Sequence, residues 1–227
     1  MSFVFDPPPQ PTVGVKGGGL FPVRRIFCIG RNYADHVREM GGDPKSSPPV
    51  FFTKPADAVA PGGAEIPYAQ ATTNLHFEGE LVVALKSGGK DIASEDDANA
   101  LIYGYAAGCD LTRRDHQTRS KDAGAPWDTA KGFDNSAPVG VIVPADACDL
   151  ENARLRTFVN DEQRQDAPLD QMIWRIPEII VALSQQFELK PGDLIFTGTP
   201  EGVGPLLPGD KINISIGETL SLEFSIV

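Results

Sequence analysis

Apolar residues recur along the chain with two periods, and the period of two dominates. Leu81, Val83 and Leu85 alternate with Glu80, Val82 and Ala84; Ile212, Ile214 and Ile216 alternate with polar residues; Leu220, Leu222, Phe224 and Ile226 do the same after Gly217-Glu218. Extended chain sends successive side chains to opposite faces, so these runs predict strands, the last two as a hairpin. Shorter β-branched and apolar runs at 26–29, 50–53, 139–143, 155–159 and 194–196 predict further strands, with Asn160-Asp161-Glu162 and Pro191-Gly192-Asp193 as turns. Helical spacing is rarer. It is clearest over 170–189, where Ile173, Ile176, Ile180, Leu183 and Phe187 form one stripe and Pro177 suits a first turn. Residues 31–40, stopped by Gly41-Gly42, predict a short helix. Ser94 and Asp97 resemble a capping box, with Ala98, Leu101, Ile102 and Tyr105 at helical spacing behind them, and Arg113 to Gln117 predicts the first turns of a polar helix.

Many short strands, few helices and no βαβ rhythm predict an α+β fold, mostly β, built on curved antiparallel sheet. Residues 1–23 carry Pro7-Pro8-Pro9, Pro11 and Gly17-Gly18-Gly19, too punctuated for a helix, and predict an extended N-terminal lead running over the surface. Residues 24–227 show no internal repeat and no linker, and read as a single domain.

Composition narrows the function classes. The 227 residues, 41% hydrophobic and 22% charged, suit a soluble globular protein, and a formal net charge of -11 disfavours nucleic acid and anionic membrane, which need a basic surface. An anionic small molecule must therefore meet a local basic cluster. Cys28, Cys109 and Cys148 are odd in number and lack metal-site spacing, which predicts reduced thiols; with no basic n-region at the start and no membrane-length apolar run, the expected location is the cytoplasm.

Two acidic stretches carry the candidate chemistry. In His76-Phe77-Glu78-Gly79-Glu80 an extended chain puts Glu78 and Glu80 on one side, roughly 7 Å apart at their bases. Like charges that close raise one another's pKa, which calls for a cation, a shared proton or solvent. Gly108-Cys109-Asp110 is a second apolar segment ending in an acid. If the two segments pair, Glu78, Glu80 and Asp110 make an all-oxygen site suited to Mg²⁺ or Mn²⁺; an exposed polar strand face accounts for the spacing equally well. His36 and Glu39, three apart, have the spacing of an oriented general base, although a solvated helix yields the same pair. The Gly-, Pro- and Ser-rich residues 41–49 suit a flap that closes over a ligand. Arg114, Gln117 and Lys131 suit carboxylate and carbonyl groups, and the loop Thr197-Gly198-Thr199-Pro200-Glu201-Gly202-Val203-Gly204 can offer N–H groups and the Thr199 hydroxyl.

The ordered set Gly30-Arg31-Asn32-Tyr33-Ala34-Asp35-His36, Lys54-Pro55, Glu78-x-Glu80, Asp110-Leu111-Thr112-x-Arg114-Asp115, Lys131-x-Phe133 and Thr197-Gly198-Thr199-Pro200-x-Gly202-Val203-Gly204 resembles the fumarylacetoacetate hydrolase family. Pro22-Val23-Arg24-Arg25 and Lys54-Pro55-Ala56-Asp57-Ala58-Val59 look most like its fumarylpyruvate and acylpyruvate hydrolase branch. The resemblance implies a mixed β-roll, a homodimer, and Mg²⁺ or Mn²⁺ at Glu78, Glu80 and Asp110. It also implies a water-activating dyad at His36 and Glu39, and contacts to a small anionic keto acid from Arg114, Gln117, Lys131 and Thr199. The implied reaction is hydrolysis of the C–C bond of an acylpyruvate such as fumarylpyruvate in aromatic-compound catabolism, with Lys131 steadying the enolate that leaves. Arg31 or Arg38 would meet a distal carboxylate. Gly79 departs from the larger residue often found between the two acids, and is expected to loosen the strand. The same metal and enolate would also serve oxaloacetate decarboxylation or isomerisation of an unsaturated keto-diacid. A non-enzymatic metal-binding β module and a cupin-like site using His116 are the readings from other classes.

Overall fold

The computed structural model describes residues 3–33 and 48–227. Its main sheet has eight strands. Seven run in the order Val50–Lys54, Arg25–Gly30, Asp193–Phe196, Gly79–Leu85, Ile102–Cys109, Ala137–Val139, Val59–Pro61, and Val143–Pro144 also pairs with Ile102–Cys109. A five-stranded sheet runs Glu162–Pro168, Arg154–Val159, Lys211–Ile216, Leu220–Ile226, Glu65–Ile66, and a three-stranded ribbon joins Thr112–Arg113, Leu75–Phe77 and Gly204–Pro205. Most neighbours are antiparallel, as the sequence predicts. Asp193–Phe196 lies parallel to Arg25–Gly30, Ala137–Val139 to Val59–Pro61, and Leu220–Ile226 to Glu65–Ile66, so the sheets are mixed.

The alternating pattern sets the layers. Leu155, Ile212, Ile214, Ile216, Leu220, Leu222, Phe224 and Ile226 turn inward from the five-stranded sheet onto Leu81, Ala107 and Cys109 of the main sheet. Val83 and Leu85 pack with Phe27, Ile29 and Ile195 under Ile179, Ile180 and Leu183 of helix Ile176–Ser184, while Val82 and Ala84 face Ile26, Cys28, Leu194 and Phe196. Strand Gly79–Leu85 is thus buried along its whole length, in the middle of the molecule.

Several elements differ from the sequence expectation, each for a local reason. Helix Glu95–Ala100 is capped by the Ser94 side chain, which accepts from the Asp97 N–H, but it stops before Ile102, and Ile102–Cys109 is a strand. The aromatic and β-branched residues there favour extended chain. Gly104 and Gly108 lie inside the strand at close approaches: a Cβ on Gly104 would stand 2.2 Å from the Val143 carbonyl oxygen, and one on Gly108 2.4 Å from Val82. The helix predicted over 170–189 narrows to Ile176–Ser184 after a 3₁₀ turn at Leu169–Gln171, because Pro177, lacking an N–H, is tolerated only in a helix's first turn, and the extended Arg175 caps that turn. The N-terminal lead includes a hairpin, Thr12–Gly14 with Leu20–Pro22, turned by Gly17-Gly18-Gly19 at positive φ, and its Val13 and Phe21 are buried against the core, so the lead does not simply run over the surface.

The helix expected over 31–40, with His36, Arg38 and Glu39, and most of the flap over 41–49 lie outside the described residues. At the near edge Arg31 has φ 62°, in the left-handed region, and the chain is not helical there. Asn32 fixes this point. Its buried amide donates to the Trp174 and Thr197 carbonyls at 3.0 and 2.7 Å and accepts from the Trp174 N–H at 2.8 Å.

Candidate active site

Glu78 sits where the chain leaves ribbon strand Leu75–Phe77 and enters main-sheet strand Gly79–Leu85, so the two acids do not share one strand as the sequence suggests. Asp110 sits at the equivalent crossing between Ile102–Cys109 and Thr112–Arg113, and its N–H donates to the Glu78 carbonyl at 2.8 Å. Glu80 pairs with Gly108 one step into the sheet. The result is three buried carboxylates, each offering an oxygen within 4.8 Å of the others. The exposed-strand reading fails on this burial.

Gly79 has a purpose here that differs from loosening the strand. A Cβ at this position would lie 2.3 Å from Thr157 Oγ1 and 2.9 Å from Gln165 Oε1, so the five-stranded sheet closes directly onto the backbone between the two acids. The Gln165 carboxamide, buried, accepts from the Gly79 N–H at 3.1 Å and donates to Thr199 Oγ1 at 2.8 Å and to the Pro200 carbonyl at 3.0 Å. Thr199 in turn donates its hydroxyl proton to the Gly79 carbonyl at 2.8 Å, which commits that proton to the protein. The Gly198 N–H donates to Glu80 Oε2 at 2.8 Å. The Thr-Gly-Thr loop is therefore clamped onto the acidic strand.

Cations answer the acids. Lys131, fully inside, spends its three N–H donors on Glu78 Oε2 at 2.8 Å, Asp110 Oδ2 at 2.7 Å and Thr112 Oγ1 at 2.6 Å. Its pKa is raised: burial opposes the charge, but Asp110 and Glu78 outweigh it. Lys54, also buried, lies 2.8 Å from Asp110 Oδ1 while donating to the Leu111 and Lys131 carbonyls. Arg114 pairs with Glu78 Oε1 and donates to Gln117 Oε1, leaving the Gln117 NH₂ to the pocket. His76 orients Arg114. Its Nδ1 faces Arg114 Nε at 3.4 Å and its Nε2 faces Asn74 Oδ1 at 2.9 Å, and burial, then Arg114, lower its pKa to about 4, so the imidazole is neutral.

The donor set fits a hard divalent cation. Asp110 Oδ1 is buried and, although ion-paired to Lys54, accepts no aligned hydrogen bond among the described residues; burial, then the Asp110 and Glu78 charges, push the Glu80 carboxyl well above the ordinary carboxylate range. A cation against these oxygens relieves both conditions. The cavity over them is lined by Arg31, Phe52, Arg114, Gln117, Lys121, Trp127, Lys131 and Thr199. Of the residues singled out from sequence, Arg31, Glu78, Glu80, Asp110, Arg114, Gln117, Lys131 and Thr199 converge here, while His36 and Glu39 lie outside the described residues. Sequence reasoning missed Lys54, Gln165 and Lys121. Gln165 did leave a trace, since it falls two before Ala167 on the inward face of an otherwise polar strand.

Fold and site together define a mixed β-roll with an oxygen-lined site for a hard divalent cation. The family profile described as fumarylacetoacetate (FAA) hydrolase C-terminal matches residues 25–227, and the chain belongs to the fumarylacetoacetate hydrolase family. Fumarylpyruvate hydrolase of Ralstonia sp is 45% identical over 162 residues, 71% of this chain and 84% of that one. The mitochondrial oxaloacetate tautomerase FAHD1 of Bos taurus is 43% identical over 206 residues, 89% of this chain and 91% of that one. The crystal structure of Pseudomonas aeruginosa fumarylpyruvate hydrolase, in complex with Mn²⁺ and pyruvate, aligns with a TM-score of 0.95 and 44% identity over 100% of this chain and 99% of that one.

Proposed function

We propose that the protein is a metal-dependent hydrolase that cleaves the C–C bond of an acylpyruvate, with fumarylpyruvate as preferred substrate and fumarate and pyruvate as products. The observation that carries this reading is the buried Glu78, Glu80 and Asp110 cluster, ringed by Lys54, Arg114 and Lys131 within a chain of net charge -11. The Pseudomonas relative, with its Mn²⁺ and pyruvate, supports it. Held by the three acids, Mg²⁺ or Mn²⁺ supplies Lewis-acid polarisation of an α-keto carboxylate and compensates the enolate charge.

The chain's own groups do the rest. Arg114 and the Gln117 NH₂ orient the pyruvoyl end. Thr199, its hydroxyl proton spent on Gly79 and its oxygen accepting from Gln165, contributes its backbone. His36, steadied by Glu39, takes a proton from water, whose oxygen adds to the distal carbonyl carbon. Collapse of that adduct breaks the C–C bond; the electron pair passes to the pyruvate enolate, which takes a proton at carbon. Lys131 steadies the enolate by giving up one partner, and the neutral Thr112 hydroxyl is the least costly to lose. Residues 24–227 act as the catalytic domain of a cytoplasmic homodimer serving aromatic-compound catabolism.

A second reading, tautomerisation of oxaloacetate, draws on the FAHD1 relative of Bos taurus. It breaks no C–C bond and needs no attacking water. Chelation, Mg²⁺ or Mn²⁺ add-back and product analysis on fumarylpyruvate, acetylpyruvate and oxaloacetate separate the two. The hydrolase reading expects pyruvate from fumarylpyruvate and its loss in His36→Ala. Isomerised oxaloacetate with no cleavage of either acylpyruvate would overturn it.

A further inference from the structure

Helix Arg114–Ala123 turns one row of side chains to the cavity: Arg114, Gln117 and Lys121, spaced by three and then four residues. Arg114 and Gln117 belong to the carboxylate end. Lys121 stands two turns on, about 10 Å further along the helix axis. Its ammonium lies 5.5 Å from the Trp127 ring centroid, and no carboxylate of the described residues pairs with it. Arg31 lines the same cavity, also without an ion pair among the described residues. In a chain with such an excess of acid, a half-buried lysine with no carboxylate partner, facing an exposed arginine of like charge, is an arrangement that an anion would relieve. Between the two charged ends stand Phe52 and Trp127, their ring centroids 5.7 Å apart. The rings are tilted by 58°, and the cavity is thus polar at both ends and apolar between.

We propose that Lys121, with Arg31, is the specificity-determining site for the distal carboxylate of the substrate, so that the protein selects dicarboxylic keto acids about seven carbons long. This rests on the keto-acid reading of the same cavity. Arg114 is excluded from the distal role because Glu78 and Gln117 hold its guanidinium at the other end.

The test is calorimetric binding to the Mg²⁺-loaded protein. The probes are 2-oxoheptanedioate, its methyl-ended counterpart 2-oxoheptanoate, and oxalate, which presents a chelating end alone. The unmodified protein is expected to bind the dicarboxylate ten- to hundredfold more tightly than 2-oxoheptanoate. Lys121→Met should bring that ratio below threefold and leave oxalate affinity within twofold, and Lys121→Arg should restore much of the ratio. An undiminished preference in Lys121→Met, no preference in the unmodified protein, or equal weakening of all three probes would overturn the assignment. Failure of the hydrolase reading shows differently: fumarylpyruvate is not cleaved, whatever the binding ratio.

Discussion

Lys54 illustrates how much a single buried charge decides. Its ammonium is the partner of Asp110 Oδ1, so Lys54→Met leaves that buried oxygen without its counter-charge, at a cost of about 3–5 kcal/mol, or roughly 6–20 °C in Tm for a domain of this size. The same change removes a positive charge that competes with a divalent cation. Mg²⁺ should therefore bind the variant more tightly, and differential scanning calorimetry should show the Tm deficit shrinking as Mg²⁺ is raised; an equal deficit in EDTA and in saturating Mg²⁺ would show that Asp110 does not feel Lys54. Lys121 makes a prediction of a different kind. Burial, then Arg114 and Arg31, with Lys131 adding to them and Glu78 opposing, lower its pKa to about 8. The charge needed for a distal carboxylate is thus present below pH 8 and lost above it. The ratio of kcat/KM for a dianionic over a monoanionic acylpyruvate should fall as pH rises through 8, and should stay flat in Lys121→Arg, whose guanidinium does not titrate there. A falling ratio in the arginine variant would assign the titration elsewhere.

At the scale of elements, the acidic strand and the loop beside it act as one unit. Gly79→Ala pushes a methyl group against Thr157 Oγ1 and should cost about 1–3 kcal/mol, recovered in part by Thr157→Ala, whose hydroxyl has no hydrogen-bond partner among the described residues. Additive losses in that double-mutant cycle would remove the close approach as the reason for glycine. Gln165→Leu severs the link from Gly79 to Thr199 and Pro200, and should raise KM more than it lowers kcat if the loop positions substrate, with far-UV circular dichroism unchanged. These contacts also mark the limit of what the sequence reveals. Alternation at Leu81, Val83 and Leu85, and again through the C-terminal hairpin, made the strands legible because burial of one face enforces it. The three acids were legible as candidates but not as a cluster, because their spacing fits an exposed strand face equally well until the pairing of the two segments is known. The helical spacing of Ala98, Leu101, Ile102 and Tyr105 hid the strand Ile102–Cys109, since in sequence a glycine that ends a helix and one that admits another chain, as Gly104 and Gly108 do, look alike. Lys54 carried no signal of burial, because the acid that pays for it lies 56 positions on.

For the whole molecule, cation binding and stability are linked. At a hundred times Kd, Mg²⁺ should add about 2.7 kcal/mol, or roughly 5–11 °C in Tm, and Glu80→Gln should abolish most of that gain; a Tm indifferent to Mg²⁺ would exclude the site. Mixed sheet was legible only through the family resemblance. Parallel pairings such as Asp193–Phe196 on Arg25–Gly30 join segments far apart in the chain, which no local pattern encodes. The two crossing points have a further consequence. Glu78 and Asp110 each stand where the chain passes from the three-stranded ribbon to the eight-stranded sheet, so a cation between them acts as a rivet across a seam. Without it one tie across that seam is missing, so the ribbon strands Leu75–Phe77, Thr112–Arg113 and Gly204–Pro205 are expected to open at lower free energy than the eight-stranded sheet. Amide exchange at Leu75, Phe77 and Leu206 should then slow on adding Mg²⁺ far more than exchange at Val83 or Ile195, making the occupancy of the site readable from protection in a ribbon that holds none of the three acids.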